Sequence, residues 1–420
     1  MRQRLAQFAM YAGIFLLPWQ TRWIFSQLTI QGEPTPFGTL SLYAVELLFV
    51  LAVLLRGRVH LVEKSEKAVK ALYVLFAAGF LSLTFADQYH LGLIQLFHVI
   101  VAGSIFILLC DKRTNMRAVL GWFLGGLFVP SILGWVQVLT GVNPASTLFG
   151  LAFQDAQVPG TAVIETMQGR WLRAYGSFPH PNIFGGYLAV GIVSLAWLTR
   201  FLDKKFIHVL WIPVVLLAST LITTFSRGAW FGLLVSFLLL IVLMWKRKRL
   251  PSGHAMPIIA LGLISILGSM FFFHQQIFAR FNSELRVEVI SVNERASQYS
   301  TVGDVFLSRP FLGVGPSGYV FTLASVKPGE SMWSYQPIHN APLLVLCELG
   351  LVGFAALFFF LVRIDQINSA VSKTPGGMFG LTLGVCLLVI SLFDHYFWSF
   401  WPGLALMSLS LGLIVRWSSD

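Results

Sequence analysis

The sequence predicts an all-α, polytopic membrane protein, a bundle of about twelve transmembrane helices. Hydrophobic residues make up 56% of the 420 positions and charged residues only 11%. The mean hydropathy of +0.76 is far too high for a soluble globular protein. Apolar runs long enough to cross a hydrocarbon core of roughly 30 Å recur along the chain. These runs are continuous rather than alternating, so they indicate helices and not the strands of a barrel.

Each apolar run defines one predicted helix. No small-residue cleavage site follows the first run, so we interpret it as a retained helix and not as a signal peptide. No repeat or soluble domain is evident, and residues 1–420 are predicted to form a single integral membrane domain. The predicted helices cover residues 5–20, 38–55, 69–86, 91–110, 118–139, 183–199, 207–223, 228–245, 256–273, 341–362, 376–392 and 397–415.

Basic residues predict the orientation of the bundle. An even number of helices places both termini on the same side. Twenty of the 29 Lys and Arg residues fall in the connections of that side, a bias typical of cytoplasmic connections. The net charge of +11 is mostly this bias. It does not indicate nucleic-acid binding, which would require one basic face on a folded domain.

Two long connections, 140–182 and 274–340, fall on the opposite side and are predicted to be extracytoplasmic loops. Long loops in an otherwise compact bundle are usually functional. The second loop contains two helix-like pieces, 276–285 and 293–308, followed by a turn rich in Gly and Pro at 309–319. This loop could lie on the membrane surface as a lid.

Nine basic residues remain on the outer side, against the general bias. They indicate an anionic partner, because the planar fork of arginine suits phosphate. Arg227 is the clearest case, since its turn joins two apolar runs and leaves it at the membrane boundary. It could bind a phosphate group or extend to lipid headgroups as a simple anchor. The nine are Arg22, Arg170, Arg173, Arg227, Arg280, Arg286, Arg295, Arg309 and Lys327.

Three other arginines leave the same choice open. Arg173 shortly precedes a predicted helix that Asn182 could cap, and the backbone N–H groups of that helix start would add anion affinity. The alternative is an ordinary loop arginine. Arg295 and Arg309 could likewise bind an anion or pair with a nearby carboxylate.

His339 and Asn340 directly precede a predicted membrane helix. A near-neutral imidazole can accept a proton from a hydroxyl, so His339 is a candidate general base, with a simple helix-capping histidine as the alternative. Glu348 lies deeper in the helix, and we interpret it as a carboxyl that holds helices together. Asp394 and His395 lie on the same outer side, where they could orient His339, bind sugar or form only a polar turn.

The sequence predicts neither a metal site nor a cofactor. The outer acidic residues are scattered, and the glycine-rich motifs of nucleotide sites do not occur in a cytoplasmic position. Cys110, Cys347 and Cys386 lie far apart, which argues against disulfides and zinc. The energy for any reaction must therefore come with the substrate, and arginines would supply the charge compensation that metals provide elsewhere.

Four motifs follow one another on the outer side: Gly176-Ser177-Phe178-x-x-Pro181-Asn182, Ser226-Arg227-Gly228, Arg309-Pro310-x-Leu312-Gly313-Val314-Gly315-Pro316, and His339-Asn340 with Leu343 and Glu348-x-Gly350. In order and spacing they resemble the O-antigen ligase and polymerase superfamily of bacterial envelope glycosyltransferases. The resemblance extends from about residue 170 onward. Tyr299 departs from the pattern, because relatives often carry a tryptophan downstream of the loop arginine.

The resemblance implies a GT-C-type membrane fold and metal-independent, inverting glycan transfer. The donor would be a glycan linked to undecaprenyl diphosphate, and the catalytic residues would be His339 as base and Arg227. Arg173 and Arg295 would also hold the donor diphosphate. The expected substrate-binding positions are Arg173, His180, Asn182, Arg295, Arg309, Asn340 and Asp394.

Among the activities of this superfamily, transfer to the glycolipid lipid A-core by an O-antigen ligase is the leading hypothesis. Polysaccharide polymerisation and protein O-glycosylation are the alternatives. The expected location is the bacterial inner membrane, with membrane lipids around the chain and the site facing the periplasm. A flippase or transporter would be expected to line a path near the bilayer midplane with ionisable residues. Here these residues gather at the outer boundary, and a structural scaffold is the remaining alternative.

Overall fold

The computed structural model describes residues 1–248, 256–282 and 285–418, and it is mostly helical. The predicted piece 276–285 falls partly outside the described residues. Helices α1 to α16 cover, in order, Arg2–Leu16, Ala44–Arg56, Glu66–Leu83, Tyr89–Leu109, Met116–Thr140, Pro181–Leu198, Trp211–Thr223, Arg227–Lys246, Met256–Phe272, His274–Phe281, Arg286–Ser308, Tyr319–Val326, Ala341–Ser369, Pro375–Phe393, Tyr396–Ser399 and Trp401–Trp417.

The predicted count of twelve membrane spans is not confirmed. A helix occupies part of each predicted segment, but in the described part of the chain only six helices are long and apolar enough to cross a membrane: α4, α5, α6, α8, α13 and α14. The bent pair α9 and α10, which turns by 79°, would make a seventh. Helices α1 and α2 have only 15 and 13 residues. Apolar composition therefore identified where helices form, while the number of helices that span the membrane stays a prediction.

A β-hairpin between α1 and α2 was missed by the all-α prediction. Strands β1 (Arg22–Ile30) and β2 (Glu33–Tyr43) pair antiparallel, so the predicted helix 38–55 is wrong in its first six residues. Gln31 and Gly32 form the turn with φ of 54° and 85°. Two successive residues with positive φ are typical of the type I′ turn, which matches the twist of a hairpin.

The loop 140–182 carries two further small hairpins. Strand β3 (Val142–Asn143) pairs with β4 (Gln154–Asp155), and β5 (Val163–Thr166) pairs with β6 (Gly169–Leu172). Each sheet has only two strands. The mostly helical architecture is thus as predicted, while the connections are partly β-structure.

Three helix starts and one helix end meet at one end of the bundle. Helices α6, α8 and α13 all begin there, and α14 ends there at Phe393. The backbone N–H of Ala341 donates to the Asp394 carbonyl oxygen over 3.1 Å and so joins the start of α13 to the end of α14. Helix starts carry partial positive charge, so this arrangement favours an anion.

Helix α13 is interrupted at Gly350, where φ is +66°. The segment 310–315 packs against this break, and its backbone completes the hydrogen bonding: Val314 N–H donates to the Cys347 carbonyl and Leu351 N–H donates to the Pro310 carbonyl. A side chain at Gly350 would lie 2.4 Å from the Phe311 carbonyl. The Gly- and Pro-rich turn is therefore built into the bundle here rather than lying over it as a lid.

Candidate active site

His339 is held by a single side chain of α11. Its backbone N–H and its ring Nδ1 both lie within hydrogen-bonding distance of Gln298 Oε1, at 3.2 and 2.8 Å. Because a backbone N–H can only donate, the Gln298 atom it meets must be the carbonyl oxygen. The ring Nδ1 then also donates, which leaves the lone pair on Nε2. His339 is therefore held in the tautomer that a general base requires, with Nε2 as the acceptor.

A chain of polar contacts supports the other side of His339. The ring of His395 lies edge-on to that of His339, with centroids 5.1 Å apart. The adjacent Asp394 accepts hydrogen bonds from its neighbour's backbone N–H over 2.8 Å and from Asn182 Nδ2 over 2.7 Å. Arg173 donates to Asn182 Oδ1 over 2.6 Å and so fixes the orientation of that amide. Asn182 at the start of α6, oriented by Arg173 of the preceding loop, thus positions the acidic group beside the histidines.

The protonation states follow from burial and neighbouring charge. Burial lowers the pKa of His339 below its ordinary value, and the charge of Arg295 lowers it further, although Asp394 opposes both. Burial alone would raise the pKa of Asp394, but His395, His339 and His180 outweigh it and leave the pKa lowered. Burial also lowers the pKa of His395 to about 3. At neutral pH, His339 is therefore an unprotonated base beside a carboxylate.

Three arginines, Arg227, Arg280 and Arg295, lie near the Asp394 carboxylate. Arg227 Nη1 lies 3.1 Å from Glu288 Oε2 and also donates to the Arg280 carbonyl over 3.1 Å. Arg280 pairs with the same Glu288 carboxylate and is almost fully buried. Arg295 is electrostatically coupled to Asp394, Arg227 and Glu288, yet in the described part of the chain it makes no hydrogen bond or ion pair. Arg295 is consequently free to bind an anion, whereas Arg227 and Arg280 share the Glu288 carboxylate.

A groove of about 1290 Å³, the arginine groove, runs from Arg227, Arg280 and Arg295 along the surface of α8. Arg227, Arg280, Arg295, Asn182 and Asp394 line its polar end. Most of the rest is apolar, and several of its side chains are exposed, as expected for a surface that lipid covers. The apolar lining residues are Trp230, Phe231, Leu234, Met270, Phe281, Ile390 and Phe393. The groove can accommodate a molecule with an anionic head and a long hydrocarbon tail.

The structure brings five of the expected residues together and separates others. His339, Arg227, Arg295, Asn182 and Asp394 form the cluster described above, and Arg173 supports it from behind. Arg173 itself is 4% exposed and donates to the Thr224 carbonyl, so it acts through Asn182 rather than lining the groove.

The structure shows other contacts for Arg309, Asn182 and Asn340. Arg309 pairs with Asp87 over 2.8 Å and does not line the arginine groove. Asn182 was expected to cap α6, but His180 is the N-cap, and its Nδ1 accepts from the Asn182 backbone N–H. Asn340 caps α13, with its Oδ1 accepting from Leu343 N–H. Its amide is thus already used to start the helix.

Glu348 has the structural role that was expected for it. Its carboxylate accepts hydrogen bonds from Trp398 Nε1 over 2.7 Å and from the Ser317 backbone N–H over 2.8 Å. It therefore links α13 to α15 and to the segment before α12.

Sequence reasoning missed Gln298 and Glu288 and did not single out Arg280. Gln298 follows Arg295 by three residues, but nothing in that spacing shows that α11 packs against His339. Arg280 was counted among the outer arginines, and its pairing with Glu288 joins α10 to α11. In the described residues, no group of three or more His, Cys, Asp or Glu side chains is arranged to hold a metal ion.

Comparison with known families supports the resemblance drawn from the motifs. Residues 212–358 match the family model described as O-antigen ligase. The matched segment contains Arg227, Arg295, Arg309, His339 and Asn340. A search of curated proteins found no match.

Proposed function

We propose that this chain, related to the O-antigen ligase and polymerase superfamily through residues 212–358, transfers a glycan from an undecaprenyl-diphosphate-linked donor to an acceptor hydroxyl on lipid A-core. The reaction takes place at the periplasmic face of the bacterial inner membrane, within a GT-C-type fold. It inverts the anomeric carbon and uses no metal ion.

The observation that carries this proposal is the groove that joins three arginines to an apolar surface beside His339. A lipid-linked glycan has these two parts, an anionic diphosphate and a long hydrocarbon chain. The diphosphate fits among Arg227, Arg280 and Arg295, while the hydrocarbon follows the apolar lining of α8 toward the membrane. The sugar attached to the diphosphate then lies on the side of His339 and Asp394.

The chemical step follows from the tautomer of His339. Its Nε2 accepts the proton of the acceptor hydroxyl, and the resulting oxygen nucleophile forms a bond to the anomeric carbon of the donor. The bond between that carbon and the phosphate oxygen breaks, and the electron pair leaves with the diphosphate. Attack from the side opposite the leaving group inverts the configuration. Asp394 stabilises the protonated histidine through its position beside His339 and His395.

The arginines stabilise the leaving group. Charge develops on the phosphate oxygen as the bond breaks, and preorganised guanidinium groups near lipid act in a low dielectric, where they contribute more than in water. Arg280 is 6% exposed and held by Glu288. A rigid group of this kind requires little reorganisation during the reaction.

Replacement of His339 by alanine tests the proposal. We expect His339→Ala to lower the rate of transfer by roughly 10² to 10⁴, the usual contribution of a general base, while donor binding persists. His90→Ala is the matched control, because His90 is exposed and contacts no residue of the groove. The assay uses purified protein, a lipid-linked donor and lipid A-core, with and without EDTA. Retention of most of the rate in His339→Ala, or loss of wild-type activity with EDTA and its recovery with a divalent cation, would show that the mechanism is wrong.

A further inference from the structure

Helix α11 separates two grooves and presents a different face to each. Arg295 faces the arginine groove described above. The opposite face lines a second groove with side chains spaced i, i+3, i+4, i+7, i+8 and i+11, which is one side of an α-helix. These side chains are Ile290, Asn293, Glu294, Ser297, Gln298 and Thr301.

The second groove has a volume of about 970 Å³. The end of α12 and the segment 327–336 form its other walls. Tyr335, which is 2% exposed, holds that segment in place. Its hydroxyl donates to the Lys327 carbonyl over 2.7 Å and accepts from Gln31 Nε2 over 2.9 Å and Glu330 N–H over 3.0 Å. The hairpin turn at Gln31 therefore supports the wall of this groove.

The polar groups of the second groove have capacity to bind a ligand. In the described part of the chain, the side chains of Asn293, Glu294 and Glu330 make no hydrogen bond or ion pair. Gln298 Nε2 is buried and has no partner. Trp333, with 62% of its surface exposed, offers a flat apolar face at the same groove.

We propose that this second groove binds the sugar rings of the acceptor and delivers its hydroxyl to His339. The inference rests on the proposed function. A tryptophan face packs on the apolar side of a sugar ring, while amides and carboxylates bind its hydroxyls. The groove carries two carboxylates, those of Glu294 and Glu330, and one lysine, Lys327. It therefore suits neutral or amino sugars and disfavours phosphorylated ones.

The position of Gln298 connects this groove to the chemistry. Gln298 lines the second groove and holds His339 through both hydrogen bonds to its Oε1. On the other side, His339 contacts His395, which adjoins Asp394 of the arginine groove. His339 thus lies between Gln298 of the second groove and His395, which adjoins the arginine groove.

Kinetics that vary the acceptor test this inference. With the undecaprenyl-diphosphate-linked donor at saturation, Trp333→Ala and Glu294→Gln should each raise the KM for lipid A-core by roughly tenfold, the usual effect of removing one anchoring contact. The KM for the donor should stay unchanged. Trp23→Ala is the matched control, because Trp23 is also an exposed tryptophan, at 69%, and lies in β1 away from both grooves.

A binding measurement separates this inference from the proposed function. Core oligosaccharide released from lipid A-core should give saturation-transfer NMR signals with the wild type that Trp333→Ala and Asn293→Ala abolish and Trp23→Ala retains. If the wild type transfers glycan but all variants keep the acceptor KM and the NMR signals, the groove assignment is wrong and the proposed function stands. If the wild type transfers nothing, the proposed function fails, and loss of the NMR signals in the variants still decides whether the groove binds sugar.

Discussion

Gln298 provides a test of how His339 is held as a base. The Gln298 side chain is 6% exposed, and its Oε1 accepts two hydrogen bonds from His339. Gln298→Leu removes both bonds with little change in volume. Each bond contributes about 0.5–1.5 kcal/mol, so their loss should lower kcat by roughly 5- to 150-fold.

Gln298→Glu separates the effect on the tautomer from the effect on charge. A carboxylate can accept the same two hydrogen bonds, so the tautomer is kept. Its negative charge favours the protonated imidazole and should raise the pKa of His339. In the wild type, burial lowers the pKa of His339, so the acidic fall of kcat/KM lies at lower pH than for an ordinary histidine. In Gln298→Glu the fall should move to higher pH, with the rate recovering under alkaline conditions.

The assay is the pH dependence of transfer from a lipid-linked donor between pH 5 and 9. Gln27→Leu is the control, since Gln27 donates to the Thr35 carbonyl in the hairpin and does not contact His339. The tautomer argument is refuted if Gln298→Leu keeps the wild-type kcat, or if Gln298→Glu loses activity without any displacement of the pH profile.

Three further substitutions test the arginine groove and the break in α13. Arg227→Lys should reduce transfer by at least about tenfold, because lysine lacks the planar fork that binds phosphate. The control Arg286→Lys, at an exposed ion pair, should transfer at a near-normal rate. Equal rates for both variants would make Arg227 a simple anchor. Glu288→Gln should lower the KM for the donor by about tenfold, the equivalent of one charged hydrogen bond that the diphosphate no longer has to displace; an unchanged KM would assign Glu288 a purely structural role. Gly350→Ala should lower the free energy of unfolding by more than about 2 kcal/mol, since its Cβ would meet backbone 2.4 Å away at a positive φ. Thermal unfolding in detergent measures this loss, with Gly303→Ala as the control because Gly303 has open space around it. Equal stability of the two variants would contradict the prediction.

Several features of this protein depend on composition or on local sequence, and these are the ones that the sequence determined. The apolar composition specified a helical membrane protein, because a property summed over hundreds of residues does not depend on how any one pair packs. Helix starts were marked by local signals, such as Asn340 before Ala341-Pro342 and Ser226 before Arg227. These starts placed His339 and Arg227 at helix ends before any contact was known.

Other features depend on contacts between residues far apart in the chain, and only the tertiary structure decided them. Gln298 holds His339 across 41 residues, and Asn182 meets Asp394 across 212. Arg309 and Arg295 look alike in sequence, yet one pairs with Asp87 and the other faces the arginine groove. Neither outcome follows from local propensity or periodicity, because each depends on how α11 packs against α13 and the loop before α4. The sequence therefore indicated the chemistry of the individual residues, while helix packing determined which residues contact one another.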